Sequence, residues 1–242
     1  MNTGWLLWKE YRQNRFIIYA ALAILLGPYL IGFGALYGWR LIYCPMNVTP
    51  RNWAEVWWRV LAFANFCSMF LSLLSIALIG GNAISGERVD RSSEFLFSMP
   101  LRRSRILVGK LLLAALVIAV IWLLNDFVCW LSPKMPGLKV PGLRSLPLAF
   151  IATSSLVIFC SAWFFSSLVT SPAFDVCGGL MTPMLVGIGI RFTTWLLTPH
   201  GAVPFAGNYD ADFSRWYLRV CCVIAPVCFC IGTWRYLRRV EP

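Results

Sequence analysis

Residues 60–85 read VLAFANFCSMFLSLLSIALIGGNAIS, and residues 87–110 read ERVDRSSEFLFSMPLRRSRILVGK. The first stretch has no charged side chain and exceeds the ~20 apolar residues that a helix needs to cross a hydrocarbon core about 30 Å thick. The second opens as a charged block. From Ile106 onward only Lys110 interrupts a new apolar run before Asp126. A water-facing segment strung between two membrane spans is where a polytopic protein can meet a soluble partner.

Composition extends this pattern to the whole chain. Of its 242 residues, 59% are hydrophobic and 13% charged, whereas a soluble domain is closer to half apolar and a quarter charged. The apolar runs do not alternate, so they do not suit the ~10-residue strands of a membrane barrel. The expected class is therefore an all-α integral membrane protein forming one membrane domain, 1–242. The net charge of +11 fits basic residues that hold helix ends at anionic headgroups. The basic residues are scattered over several loops, which argues against a nucleic-acid partner. Most of the nine cysteines fall in apolar runs, where Cys acts as a small hydrophobe. No Cys-x-x-Cys pair suggests zinc. Cys44 and Cys129 could both lie near the outer face, where a disulfide is possible.

Six spans are expected, at about 16–38, 60–85, 106–131, 147–170, 176–198 and 216–234. Residues 3–15 precede the first. Trp5, Leu7, Trp8 and Tyr11 share one helical side and Lys9, Glu10, Gln13 and Asn14 the other, as in an amphipathic interfacial helix lying in the headgroup plane. The run after it, 16–38, is longer than the ~7–15 residues of a signal-peptide core and reads as a retained span. Orientation follows the basic residues. Lys9, Arg12, Arg15, Arg88, Arg91, Arg102, Arg103, Arg105, Lys110, Arg235, Arg238 and Arg239 fall on the side of the termini. They outnumber Arg40, Arg51, Arg59, Lys134, Lys139, Arg144, Arg215 and Arg219 on the other. Both termini and the block 86–105 are thus expected in the cytoplasm, with outer loops at 39–59, 133–145 and 199–215.

Within the block, Ser92 or Asp90 can cap a helix start, and Glu94 in the first turn suits the helix dipole. Phe95, Leu96, Phe97 and Met99 follow, and Pro100 stops the helix. Apolar side chains on such a turn must be covered, either by the lipid surface or by a groove in another protein.

The same stretch resembles the signature of the type-2 ABC exporter permeases. Glu87, Arg88, Glu94, Leu96, Ser98, Pro100, Arg103, Ile106, Gly109 and Lys110 match it without a gap. Val89, Arg91, Ser92 and Ser93 stand where Glu, Gly, Thr and Leu are usual. The resemblance implies that the segment is a coupling helix between spans two and three, seated in a cleft of a separate ATP-binding subunit. It also implies a second permease, either another copy or a relative, to complete a dimer in the cell's inner (plasma) membrane. ATP and Mg would then belong to the partner subunit. Gly109-Lys110 lacks the Gly five residues earlier and the following Ser or Thr of a phosphate-binding loop, so this chain should bind no nucleotide through it.

Asn65, Ser68, Ser72, Ser75 and Asn82 fall on one stripe of span two. A polar stripe turns away from lipid, either onto a neighbouring helix or into a transport path. In span four, Thr153, Ser154, Ser155, Ser161, Ser166 and Ser167 fall around the helix. In span five, Gly178, Gly179, Pro183, Gly187 and Gly189 allow close packing or bending, while Arg191 must either snorkel or pair, Asp126 being a candidate. Competing classes have less to stand on. A polytopic enzyme would need parts that are missing here, such as His-Glu-x-x-His, an Asp-Asp pair or Gly-x-Ser-x-Gly, and the one histidine, His200, lies in an outer loop. An ion-coupled transporter would usually carry an ionisable group at mid-membrane. A non-transporting membrane anchor for a cytoplasmic complex is compatible with the block alone.

Overall fold

A computed structural model describes residues 3–42, 50–89, 103–131, 148–169, 171–197 and 209–239. They form six helices: α1 (Thr3–Ile42), α2 (Pro50–Val89), α3 (Arg103–Leu131), α4 (Leu148–Leu168), α5 (Pro172–Leu197) and α6 (Tyr209–Arg239). Each contains a window long and apolar enough to cross a membrane: Asn14–Ala35, Phe63–Gly86, Ser104–Leu124, Phe150–Leu168, Pro172–Thr194 and Phe213–Arg238. The chain is a multi-pass, all-helical membrane protein.

Several helices outrun their apolar windows. At 1.5 Å per residue, the 40 residues each of α1 and α2 reach about 60 Å, roughly twice a hydrocarbon core. The interfacial segment expected at 3–15 is continuous with the first span rather than a separate helix. No Gly or Pro stands between Trp5 and Leu26 to break it. Loop 39–59 is likewise corrected: α2 starts at Pro50, a residue suited to a first helical position, and carries Arg51, Trp53, Trp57 and Arg59 in its early turns. Loop 199–215 loses its end to α6, which starts at Tyr209. Residues 90–102 lie outside the described residues, and with them Glu94, Phe95, Leu96, Phe97, Ser98, Met99 and Pro100. The same holds for Cys44 and for the tripeptide Asn47-Val48-Thr49.

The chain divides into two compact units. One comprises Met1–Ser75 with Gly109–Leu146, the other Ile76–Val108 with Pro147–Pro242. In the first, α1 meets the early part of α2. The Phe33 and Trp57 rings lie 5.2 Å apart, and Ala21, Leu25, Ala64 and Met69 are buried. In the second, α4 is the enclosed centre. Val157, Ile158, Ala162 and Trp163 are buried, and the Trp163 ring packs between Phe159 and Phe229. Small residues bring backbones together there, the usual way for membrane helices to gain contact. A Cβ added at Gly232 would stand 2.8 Å from Cδ1 of Trp163, and one at Gly179 would stand 2.7 Å from Cβ of Ala162. Phe174, Met181, Met184, Leu185 and Ile188 of α5 are exposed, as apolar side chains turned to lipid would be.

Candidate coupling and packing sites

The polar stripe of α2 is built against α1 in the first unit. The hydroxyl of Tyr29 donates to Oδ1 of Asn65 at 3.0 Å. Ser68 donates to the carbonyl of Leu25 at 3.2 Å and Ser75 to that of Ala21 at 3.1 Å. Asn65, Ser68, Ser72 and Ser75 are all buried. Ser72 turns back to the carbonyl of Met69 in its own helix at 2.6 Å. A hydroxyl that reaches a carbonyl on the neighbouring helix is satisfied without water, as hydrocarbon surroundings require. Asn82, further along α2, is half-buried and packs against Gly86 one turn on.

The α2 turns that lead into segment 86–105 sit in the second unit, against α4 and α5. A Cβ at Gly80 would lie 3.0 Å from the carbonyl oxygen of Phe159, and one at Gly81 would lie 3.1 Å from Cβ of Asp175. Oγ of Ser166 accepts the backbone N–H groups of both Ile84 and Ser85, at 3.1 and 2.9 Å. Ser85 in turn donates its hydroxyl to the carbonyl of Gly81 at 2.6 Å. Asp175 is fully buried in the first turn of α5, after Ser171 and Pro172, where the helix dipole favours a carboxylate.

Of the residues assigned to coupling, Glu87 and Arg88 fall in the last turn of α2 and Arg103 opens α3. Gly109 and Lys110 are buried on α3. The remainder lie in 90–102. Arg191 is exposed near the end of α5, with its guanidinium carbon 5.3 Å from the centre of the Phe213 ring, a cation–π contact at the rim of a span. Tyr11 precedes the first apolar window, and its hydrogen bond to Tyr19 (O···O 2.9 Å) is the main cause that holds its phenol above the ordinary tyrosine range. Among the described residues, no group of three His, Cys, Asp or Glu side chains could hold a metal.

Sequence reasoning missed Tyr29, Gly80, Gly81 and Asp175, and did not single out Ser166. Two signals were present: the Gly80-Gly81 pair inside an apolar run, and Ser171-Pro172 followed by Asp175, a helix-start pattern.

Six span-length apolar helices define the class as a polytopic membrane protein. A family model described as "ABC-2 family transporter protein" matches residues 9–174, more than half of the chain, from α1 into the first turn of α5. The chain belongs to this family of transporter membrane components. Searches of curated proteins and of solved structures each gave no match.

Proposed function

We propose that this chain is the membrane-spanning permease subunit of an ATP-driven exporter. It would couple ATP hydrolysis on a separate subunit to movement of a substrate. The observation that carries the reading is family membership across 9–174, together with the charged, apolar-centred segment that joins α2 to α3. Glu87, Arg88, Glu94, Phe95, Leu96, Phe97, Met99, Pro100 and Arg103 would form the seat for the ATP-binding subunit, which carries ATP and Mg. Gly109 and Lys110, about two turns into α3, would lie on the helix that receives its motion. In this reading segment 86–105 and both termini face the cytoplasm of a cell enclosed by the inner (plasma) membrane. A second copy or a related permease would complete the pathway, and export would be the direction.

The buried carbonyl bonds of Ser68 and Ser75 favour helix packing for that part of the α2 stripe. A transport path would then be lined elsewhere. The test is purification of the tagged chain from its host membrane with ATPase measurement. A P-loop ATP-binding subunit should co-purify, and Glu94→Ala or Pro100→Ala should lower hydrolysis by the complex. Recovery of the chain with no ATP-binding subunit would overturn the proposal.

A further inference from the structure

Two backbone amides in the interior of α2 donate to a side chain of another helix. In a regular α-helix the N–H groups of residues 84 and 85 point to the carbonyls of residues 80 and 81. Here Oγ of Ser166 accepts both, while the carbonyl of Gly81 takes the Ser85 hydroxyl. α2 runs as one uninterrupted helix through this point, and a side chain that competes for the i→i−4 ladder marks a place where a helix can bend. Gly80, Gly81 and Gly86 surround the contact, and glycine yields most readily to a backbone change.

The same turn has no slack around it. At Gly80 the backbone of α2 lies against the carbonyl of Phe159 on α4. At Gly81 it lies against Cβ of Asp175 and the backbone nitrogen of Val176 on α5. α4 ends at Leu168 and α5 starts at Pro172, so both arms of one short hairpin grip α2 within about three turns of its end. A displacement of that end cannot occur without moving the hairpin or breaking the Ser166 contact. Interiors packed this closely switch between discrete arrangements rather than deform smoothly.

From this geometry we infer that Ser166 is a positioning residue for energy coupling: its hydroxyl pins a yielding point in α2 to the α4–α5 hairpin, so that motion of segment 86–105 is delivered to that hairpin. The inference rests on the coupling role proposed for 86–105, and its test separates the two.

The full chain is reconstituted with its ATP-binding subunit in lipid nanodiscs. Hydrogen exchange is followed with and without ATP plus vanadate. In the native protein, peptides from 86–105 and from 165–176 should both change their exchange on trapping. In Ser166→Ala, the amides of Ile84 and Ser85 should exchange roughly 3- to 20-fold faster even without nucleotide, the range that losing an interhelical hydrogen bond in a membrane implies. Segment 86–105 should still respond to trapping, and 165–176 should not. Ser166→Thr, which keeps the hydroxyl, should restore both. Ser166→Cys, near in volume and a poorer acceptor, reads the same two quantities at an intermediate level should the Ala variant fail to fold. Ser154→Ala loses a hydroxyl on the same helix that bonds Tyr217, and it should leave the response at 165–176 intact.

Unchanged exchange at 84–85 in Ser166→Ala overturns the pin. So does a hairpin response that persists in that variant or is missing from the native protein while 86–105 responds. Silence of 86–105 itself in the native complex refutes the proposed coupling function instead, and the amide arm still judges the pin.

Discussion

Gly179 and Gly189 lie on the same helix and differ in what a methyl group would meet, which turns the α4–α5 packing into a measurable difference. A Cβ at Gly179 would lie 2.7 Å from Cβ of Ala162, 3.2 Å from its Cα and 3.1 Å from the carbonyl oxygen of Ile158. At Gly189 nothing lies within 4 Å. The atoms facing Gly179 are backbone or bound directly to it, so no rotamer change can relieve the clash. Carbon atoms pack best at about 3.5–4.0 Å, and the helices would have to part by roughly an ångström. Overpacking of this kind costs about 1–3 kcal/mol. Gly→Ala in a helix otherwise stabilises by up to about 1 kcal/mol, a gain common to both positions that cancels in the comparison. Gly179→Ala should therefore be less stable than Gly189→Ala by about 1–3 kcal/mol. Thermal unfolding in one detergent, followed by the fluorescence of a thiol-reactive dye, reads this as a lower midpoint for Gly179→Ala. Equal midpoints, or a higher one for Gly179→Ala, would show that α4 and α5 do not approach as described.

Three further outcomes follow from single contacts. Tyr29→Phe removes the donor to Asn65 and should cost about 0.6–1.7 kcal/mol, the span measured for hydrogen bonds between membrane helices; a midpoint identical to the native one argues against that bond. Trp163 is fully buried, and among the described residues its indole N–H meets no hydrogen-bond partner. Trp163→Ala should therefore lose about 3–5 kcal/mol, while Trp163→Phe, which also removes an unsatisfied donor, should lose distinctly less; equal losses would contradict this. Arg191→Ala should shift stability by about 1 kcal/mol or less, because its cation–π contact with Phe213 is exposed, and a large loss would mean that the guanidinium is engaged more deeply.

The spans were legible because a charge-free run such as 60–85 has few other uses. Their helical limits were not. Hydropathy marks where the membrane is, whereas a helix ends where caps and breakers act. The turns around Arg51, Trp53 and Trp57 look like loop by charge and aromatic content, yet nothing in them stops a helix begun at Pro50. The stripe of α2 was visible because Asn65, Ser68 and Ser75 share one face, and Tyr29 was not because one sequence does not say which helix it meets. Ser166 shows the limit most clearly. Ser154, Ser155, Ser161 and Ser167 each donate to a carbonyl of their own helix, the commonplace use of a hydroxyl in a membrane helix, and periodicity cannot single out Ser166 among them. What sets it apart is a pair of amides some eighty residues earlier, and only the fold brings them together.

A photo-crosslinking amino acid at Phe97, with another at Phe192 as the lipid-facing control, tests the central claim most directly. Irradiation of intact host membranes should join the Phe97 probe to a P-loop ATP-binding subunit and leave the Phe192 probe without that product. If the Phe97 probe yields only lipid adducts, or if a membrane-impermeant reagent added outside the cells reaches a cysteine placed there, the segment does not dock on a cytoplasmic ATPase and the account is wrong.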